Sequence, residues 1–266
     1  MHMIVPILWA HDRPDPAAGA GKIGEGGRLR LGSAAMSFRD RPSPNHGPRR
    51  AAAIDMLILH YTGMANAEAA LARLTDPASA VSAHYLIAED GAVWRLVPEE
   101  RRAWHAGAAA WRGCDDINSA SIGIELVNPG HEFGYRPFPA AQMAALTALS
   151  RDILARHPIP ARHVLGHSDV APLRKQDPGE LFDWPALARA GIGLFPETAL
   201  APAPADPAAA RRLLAAIGYV LPQEAGEQAA VLAAFQRHFR PALCDGQLDD
   251  ETQTRLGAVA ALCGEI

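Results

Sequence analysis

Cysteine is scarce in this sequence, with Cys114, Cys244 and Cys263 as its three copies in 266 residues. An odd number without C-x-x-C spacing excludes a disulfide framework and a zinc ribbon. The three are read as free thiols, with a Cys244–Cys263 pair left open should they meet in space, and a reducing compartment is favoured. Basic charge is not in excess either: 25 Lys and Arg stand against 29 Asp and Glu, a formal net charge of -4. Without a Lys/Arg stripe the chain has no electrostatic footprint for nucleic acid. Long apolar runs are missing too. Met3 to Ala10 is too short to cross a bilayer and lacks the positive flank and small-residue cleavage site of a secretory signal. No transmembrane segment and no lipid-attachment cysteine are therefore expected.

What is present is an ordinary globular balance, 49% hydrophobic and 20% charged, in a length that suits one domain of usual size plus a small second one. Residues 1–44 read as a flexible N-terminal extension, since His11 to Arg50 is rich in Gly, Pro, Ala and Arg without periodicity, and Met36 stands as an alternative start. Ile54 to His60 is a continuous apolar run, as expected of a strand buried on both faces, with His60 at its exit. Asn66 to Leu74 reads as a helix capped by Asn66. Ser82 to Ala88 and Ala92 to Val97 flank Asp90-Gly91, a hairpin signal for antiparallel neighbours. Residues 98–120, with Trp104, His105, Trp111 and Asn118, form a long connection placed on a groove rim. In Ser121 to Val127, alternation sets Ile122, Ile124 and Leu126 on one face and Ser121, Gly123 and Glu125 on the other. Pro139 to His157 is the clearest helix, and Asp183 caps a short covering one.

Gly166 to Gly179 concentrates His167, Asp169, Arg174, Lys175 and Asp177 between Pro172 and Pro178, which forbid a regular helix and hold these groups on a shaped loop. A catalytic zinc site uses three ligands from His, Asp, Glu or Cys and keeps a fourth position open. His60, His167 and Asp177 could supply that set, with Glu125 and Lys175 beside it. Residues 198–206, rich in Pro and Ala, read as a semi-rigid linker. Beyond it Pro207 to Ile217, Glu224 to Phe239 and Asp249 to Leu262 read as three helices of a bundle able to fold alone.

The order of His60-Tyr61-Thr62, Val81-Ser82-Ala83-His84-Tyr85, Ala103-Trp104-His105-Ala106-Gly107, Ser121-Ile122-Gly123-Ile124-Glu125-Leu126 and Gly166-His167-Ser168-Asp169 through Asp177-Pro178-Gly179 resembles the zinc-dependent N-acetylmuramoyl-L-alanine amidases of type 2. That family includes AmpD- and AmiD-like enzymes and is related to peptidoglycan recognition proteins. The resemblance implies an α/β fold, a mixed central β-sheet flanked by helices over residues 45–197, followed by a small three-helix domain over 207–263 that is similar to peptidoglycan-binding units. It implies Zn2+ held by His60, His167 and Asp177, Glu125 as general base and Lys175 as the cation that stabilises the oxyanion. The implied substrate is peptidoglycan or an (anhydro)muropeptide, cut between N-acetylmuramic acid and L-alanine, with Arg174 similar to an arginine that holds a stem-peptide carboxylate; Trp104, His105 and His84 are read from their place in the chain as further substrate contacts. For His84, structural packing is an equal alternative. For Glu125 and Lys175, the alternative is a structural ion pair. His163 and Asp169 are read as structural, Asp169 as a partner of loop amides. Asp249-Asp250 departs from the commoner turn of the small domain. The expected compartment is the cytoplasm, with the cell envelope as the alternative that a wall-binding domain would favour.

Overall fold

The structure is a computed structural model and describes residues 37–51, 53–196 and 202–264; the expected flexible extension falls largely outside them. Its centre is the pair of apolar runs. Met56–Tyr61 (β3) and Ser121–Leu126 (β7) lie parallel in register, Met56 opposite Ser121 and His60 opposite Glu125. Such near-continuous apolar strands are stable only when both faces are covered, and both are.

The remaining strands, in chain order, are Phe38–Asp40 (β1), His46–Pro48 (β2), Tyr85–Ile87 (β4), Val93–Arg95 (β5), Arg101–Ala103 (β6) and Val164–Gly166 (β8). The main sheet runs β1-β5-β4-β7-β3-β8, mixed because the Asp90-Gly91 hairpin makes β4 and β5 antiparallel while the other pairs are parallel. β2 and β6 form a separate two-stranded ribbon. Phe38–Asp40, which the sequence assigned to the extension, is the edge strand of the main sheet. A three-residue strand with two exposed positions carries too little apolar pattern to be seen in advance.

The helices are Ala67–Thr75 (α1), Ile117–Ala120 (α2), Gly130–Phe133 (α3), Ala140–Arg156 (α4), His167–Val170 (α5), Trp184–Arg189 (α6), Pro207–Ile217 (α7), Ala225–Phe239 (α8) and Asp250–Leu262 (α9). Asn66 caps α1 by accepting from the Ala69 amide, and Asp183 caps α6 by accepting from the Ala186 amide, as expected. On one sheet face Leu57, Leu59, Ile122, Ile124 and Leu126 pack with Leu146, Leu149 and Ile153 of α4 and with Trp184. No helix among the described residues is long and apolar enough to cross a membrane.

The other face brings a correction. Met56 and Ile58 of β3, with Trp111, Leu165 and Val170, share one core with Leu214 and Ile217 of α7, Val231, Phe235 and Phe239 of α8, and Leu256 and Val259 of α9. The three helices are thus packed onto the sheet domain rather than hung from a linker. Residues 198–201 of the expected linker lie outside the described residues; after them, the Ala203, Ala205 and Asp206 amides donate to Thr254, Asp250 and Gln253 of α9. Trp111, expected at a groove rim, is 1% exposed and meets the Tyr219 ring edge-on at 4.9 Å under these helices. No disulfide forms among the described residues, so Cys244 and Cys263 are not paired.

Candidate functional site

Strand order makes the site. Leu59 pairs with Gly166 and His60 pairs with Glu125, so β7, β3 and β8 end side by side with Glu125, His60 and His167. In open α/β sheets the carboxyl ends of parallel strands are where ligands bind. The polypeptide after His167 was expected to be irregular; instead it makes one helical turn, α5, before Ala171, and only then loops past Pro172. That turn returns the chain so that the Ser168 amide donates to the Asp177 carbonyl at 2.9 Å, bringing Asp177 back over His167.

His60 Nδ1 lies 3.0 Å from His167 Nδ1 and 3.1 Å from Asp177 Oδ2, and His167 Nδ1 lies 3.0 Å from the same oxygen. The three residues are buried and could hold a metal ion. The opposite ring nitrogens explain how. His167 Nε2 lies 3.0 Å from the Ala106 carbonyl, which can only accept, so this nitrogen carries the hydrogen and Nδ1 keeps a lone pair. His60 Nε2 meets His105 Nδ1 at 3.1 Å, His105 Nε2 meets Ser121 Oγ at 3.2 Å, and the Ser121 hydroxyl donates to the Ile117 carbonyl at 2.5 Å. This chain leaves His60 Nδ1 bare as well. Two lone pairs and a carboxylate oxygen converging at 3.0–3.1 Å are compatible with a cation among them, since tetrahedral bonds of about 2.0–2.1 Å set ligands about 3.3 Å apart.

Electrostatics supports neutral rings at His60 and His105. Burial, then the neighbouring His167 charge, pulls His60 down to about 4, and burial holds His105 well below its usual value. Burial works to raise the Asp177 carboxyl, but His167 and His60, whose ring nitrogens face it at 3.0 and 3.1 Å, outweigh that and keep it well below the carboxylate range. Glu125 goes the other way: burial and the Asp177 charge push it well above the carboxylate range, with Lys175 opposing. Its Oε2 is buried without a hydrogen-bond partner. No ion pair joins Glu125 to Lys175 among the described residues, so neither is neutralised by the other.

Glu125, His167 and Asp177 line a groove of about 360 Å³ together with Tyr61, Arg73, Trp104, His105, Phe133, Arg174 and Lys175. Trp104 and Arg174, read as substrate contacts, are among the residues that line it. Two of the three guanidinium nitrogens of Arg174 donate to the Ala106 and Ala108 carbonyls, bracing the rim. His84 does not reach the groove. It is fully buried, its Nδ1 accepts from the Gly123 amide and its Nε2 faces the Arg101 carbonyl, so packing, the alternative, is its role. His105 borders the groove, but both its nitrogens are engaged by His60 and Ser121, which leaves none for substrate. Its ring lies so close to β7 that a Cβ on Gly123 would stand 2.5 Å from it, which accounts for a glycine inside that strand.

Two contributors were missed in the sequence. Asn118, named only as part of the rim, accepts the His105 and Ala106 amides and so supports the segment behind both histidines. Arg73 of α1 lines the groove with no side-chain partner among the described residues. A buried Asn in a long connection was the available signal for the first; helix periodicity gave none for the second.

Residues 50–180 match the N-acetylmuramoyl-L-alanine amidase family. The chain is 41% identical over 235 residues to the N-acetylmuramoyl-L-alanine amidase AmiD of Escherichia coli, covering 80% of this chain and 84% of that protein. Among solved structures, the complex of the Escherichia coli AmiD with anhydro-N-acetylmuramic acid-L-Ala-D-gamma-Glu-L-Lys superposes with a TM-score of 0.74 at 41% identity, over 82% of this chain and 93% of that one. Pseudomonas aeruginosa AmpDh3 in complex with anhydromuramic pentapeptide gives 0.69 at 33% identity, over 89% of this chain and 99% of that one. With sequence order, fold and ligand geometry in agreement, the chain belongs to the N-acetylmuramoyl-L-alanine amidase family.

Proposed function

We propose that this chain hydrolyses, with zinc, the amide joining the lactyl group of N-acetylmuramic acid, or its 1,6-anhydro form, to L-alanine in peptidoglycan fragments, in cell-wall recycling or turnover. The observation that carries this is the delivery of Glu125, His60 and His167 by three adjacent parallel strands to one groove with Asp177. The metal, when bound, supplies Lewis acidity that polarises the scissile carbonyl and makes water a nucleophile near neutral pH.

His60, His167 and Asp177 hold that ion, with the Ala106 carbonyl and the His105–Ser121 pair fixing the two rings. Glu125 is the general base. Its elevated proton affinity suits it to take a proton from water and return it to the leaving nitrogen, a task worth on the order of 100- to 10,000-fold; a bound cation would draw its pKa back toward neutrality. Lys175 places positive charge where the oxyanion develops, and loss of such a donor costs roughly 3 to 4 kcal/mol. Arg73 has a whole guanidinium to offer a stem-peptide carboxylate, and Arg174 shares that work with what its rim bonds leave; Trp104 forms the wall for the sugar or the first residues.

The three C-terminal helices are read as a peptidoglycan-binding-like unit on sequence pattern. Their aromatic stripe, Phe235 and Phe239, serves the core, so any glycan contact lies elsewhere on them. The cytoplasm is the compartment assigned, and fractionation that finds the protein outside the inner membrane would overturn it. Mass spectrometry of muropeptides digested with the zinc-loaded chain tests the activity: free stem peptide is expected, and a cut between two amino acids with the lactyl amide intact would make this a metallopeptidase instead.

A further inference from the structure

We propose that Asp169 is a positioning residue for the metal site and that the C-terminal helices act on that site through it. The proposal rests on the metal assignment above. α5 is a single turn of four residues, too short to be stable by itself, and the residue before it, Gly166, has no side chain with which to cap it. Asp169 performs that service from inside the turn: its Oδ2 accepts the Gly166 amide at 2.8 Å.

What holds Asp169 comes from far along the chain. The Tyr219 hydroxyl, just past α7, donates to Oδ1 at 2.6 Å, and His238 Nδ1 of α8 lies 2.8 Å from Oδ2, which can only accept from it. All three side chains are buried, Asp169 at 1%, His238 at 2% and Tyr219 at 3% exposed. The His238 ring is stacked between Trp184 at 3.7 Å and Phe239 at 3.9 Å, so it has little freedom to follow a moving partner. Tyr219 is fixed in turn against Trp111, over which the backbone passes so closely at Gly218 that a Cβ would stand 2.6 Å from the indole. A carboxylate with three donors from rigid neighbours has one orientation.

That orientation reaches two ligands at once. The turn closed by Asp169 begins with His167, and its Ser168 amide is bonded to the Asp177 carbonyl. Its far end is tied at the Val170 carbonyl, which accepts the Ala110 amide, four residues after the Ala106 carbonyl that fixes the His167 tautomer. Release of Asp169 therefore lets His167 and Asp177 move relative to His60, which stays on its strand.

The test uses the full-length chain and Zn2+ competed against a chromogenic chelator, with the melting temperature of the metal-free protein measured beside it. Asp169→Asn and Tyr219→Phe keep side-chain shape while altering the bonds, and Val259→Ala opens a cavity in α9 of the same core without touching Asp169. At a temperature where all variants are folded, Asp169→Asn and Tyr219→Phe are expected to weaken zinc binding on the order of tenfold, as loss of supporting groups around a site does, with Val259→Ala within about twofold of wild type. Should Asp169→Asn fail to fold, Tyr219→Phe decides alone. Unchanged zinc affinity in Tyr219→Phe, or an equal loss in Val259→Ala at matched melting temperature, overturns the proposal and reduces the cluster to packing. A wild-type chain that takes up no zinc would instead sink the metal assignment itself.

Discussion

Asp169 and Asp177 leave the same loop eight residues apart, and each has histidine ring nitrogens beside it, Asp169 that of His238 and Asp177 those of His60 and His167. Asp177 looks into the groove, where His60 and His167 leave lone pairs facing it and the cluster is compatible with a cation. Asp169 looks the other way, into a packed interior, where every polar atom it meets is a donor and its demand is met within the protein. The difference teaches how one short loop can be both mobile enough in sequence to carry chemistry and rigid enough to aim it. One aspartate faces the groove; the other is fastened to Tyr219 and His238, 50 and 69 residues later in the chain.

The comparison breaks most sharply at Asp177. Asp177→Ala should abolish stoichiometric zinc uptake and lower muropeptide hydrolysis by more than about 100-fold, exceeding the loss from supporting groups, as read by metal analysis and by product release. Glu125→Gln separates binding from chemistry: zinc content stays at wild type while kcat falls on the order of 100- to 10,000-fold. On the other side of the loop, His238→Ala removes a stacked ring and a donor to a buried carboxylate. It should cost about 3 kcal/mol from the cavity and the lost hydrogen bond, seen in chemical unfolding of the metal-free chain.

A third carboxylate calibrates both. Glu99, at the sheet's far edge, accepts from Tyr85, Arg156 and His157, and although burial works to raise it these bonds bring it down to about 2. A folded pKa below the unfolded one gives stability that is present above the unfolded value and is lost as pH falls through the folded one. Acid titration of stability should therefore show a loss between about pH 4.5 and pH 2 that Glu99→Gln removes, at a cost near neutrality of about 1 kcal/mol once solvent screening of this partly exposed cluster is allowed for.

Much of the candidate site was legible because its parts sit where local pattern speaks. His60 and His167 close apolar runs, and the alternation in Ser121 to Leu126 singles out Glu125 as a charge on a strand. The hairpin at Asp90-Gly91 and the caps Asn66 and Asp183 were legible for the same reason. What local pattern could not carry is what joins residues across long separations. Tyr219 and His238 lie in the segment read as a separate three-helix bundle, yet they close on Asp169 from 50 and 69 residues away. Trp111 looked like a rim aromatic and is a floor for those helices. His105 looked like a substrate contact, and only the ring behind it, His60, reveals that its nitrogens are taken.

X-ray absorption at the zinc edge of the loaded, full-length chain tests the central claim most directly. The account predicts one zinc with two imidazole ligands and oxygen neighbours at about 2.0–2.1 Å and no sulfur. A sulfur shell, or a zinc without imidazole, would contradict the assignment of His60, His167 and Asp177.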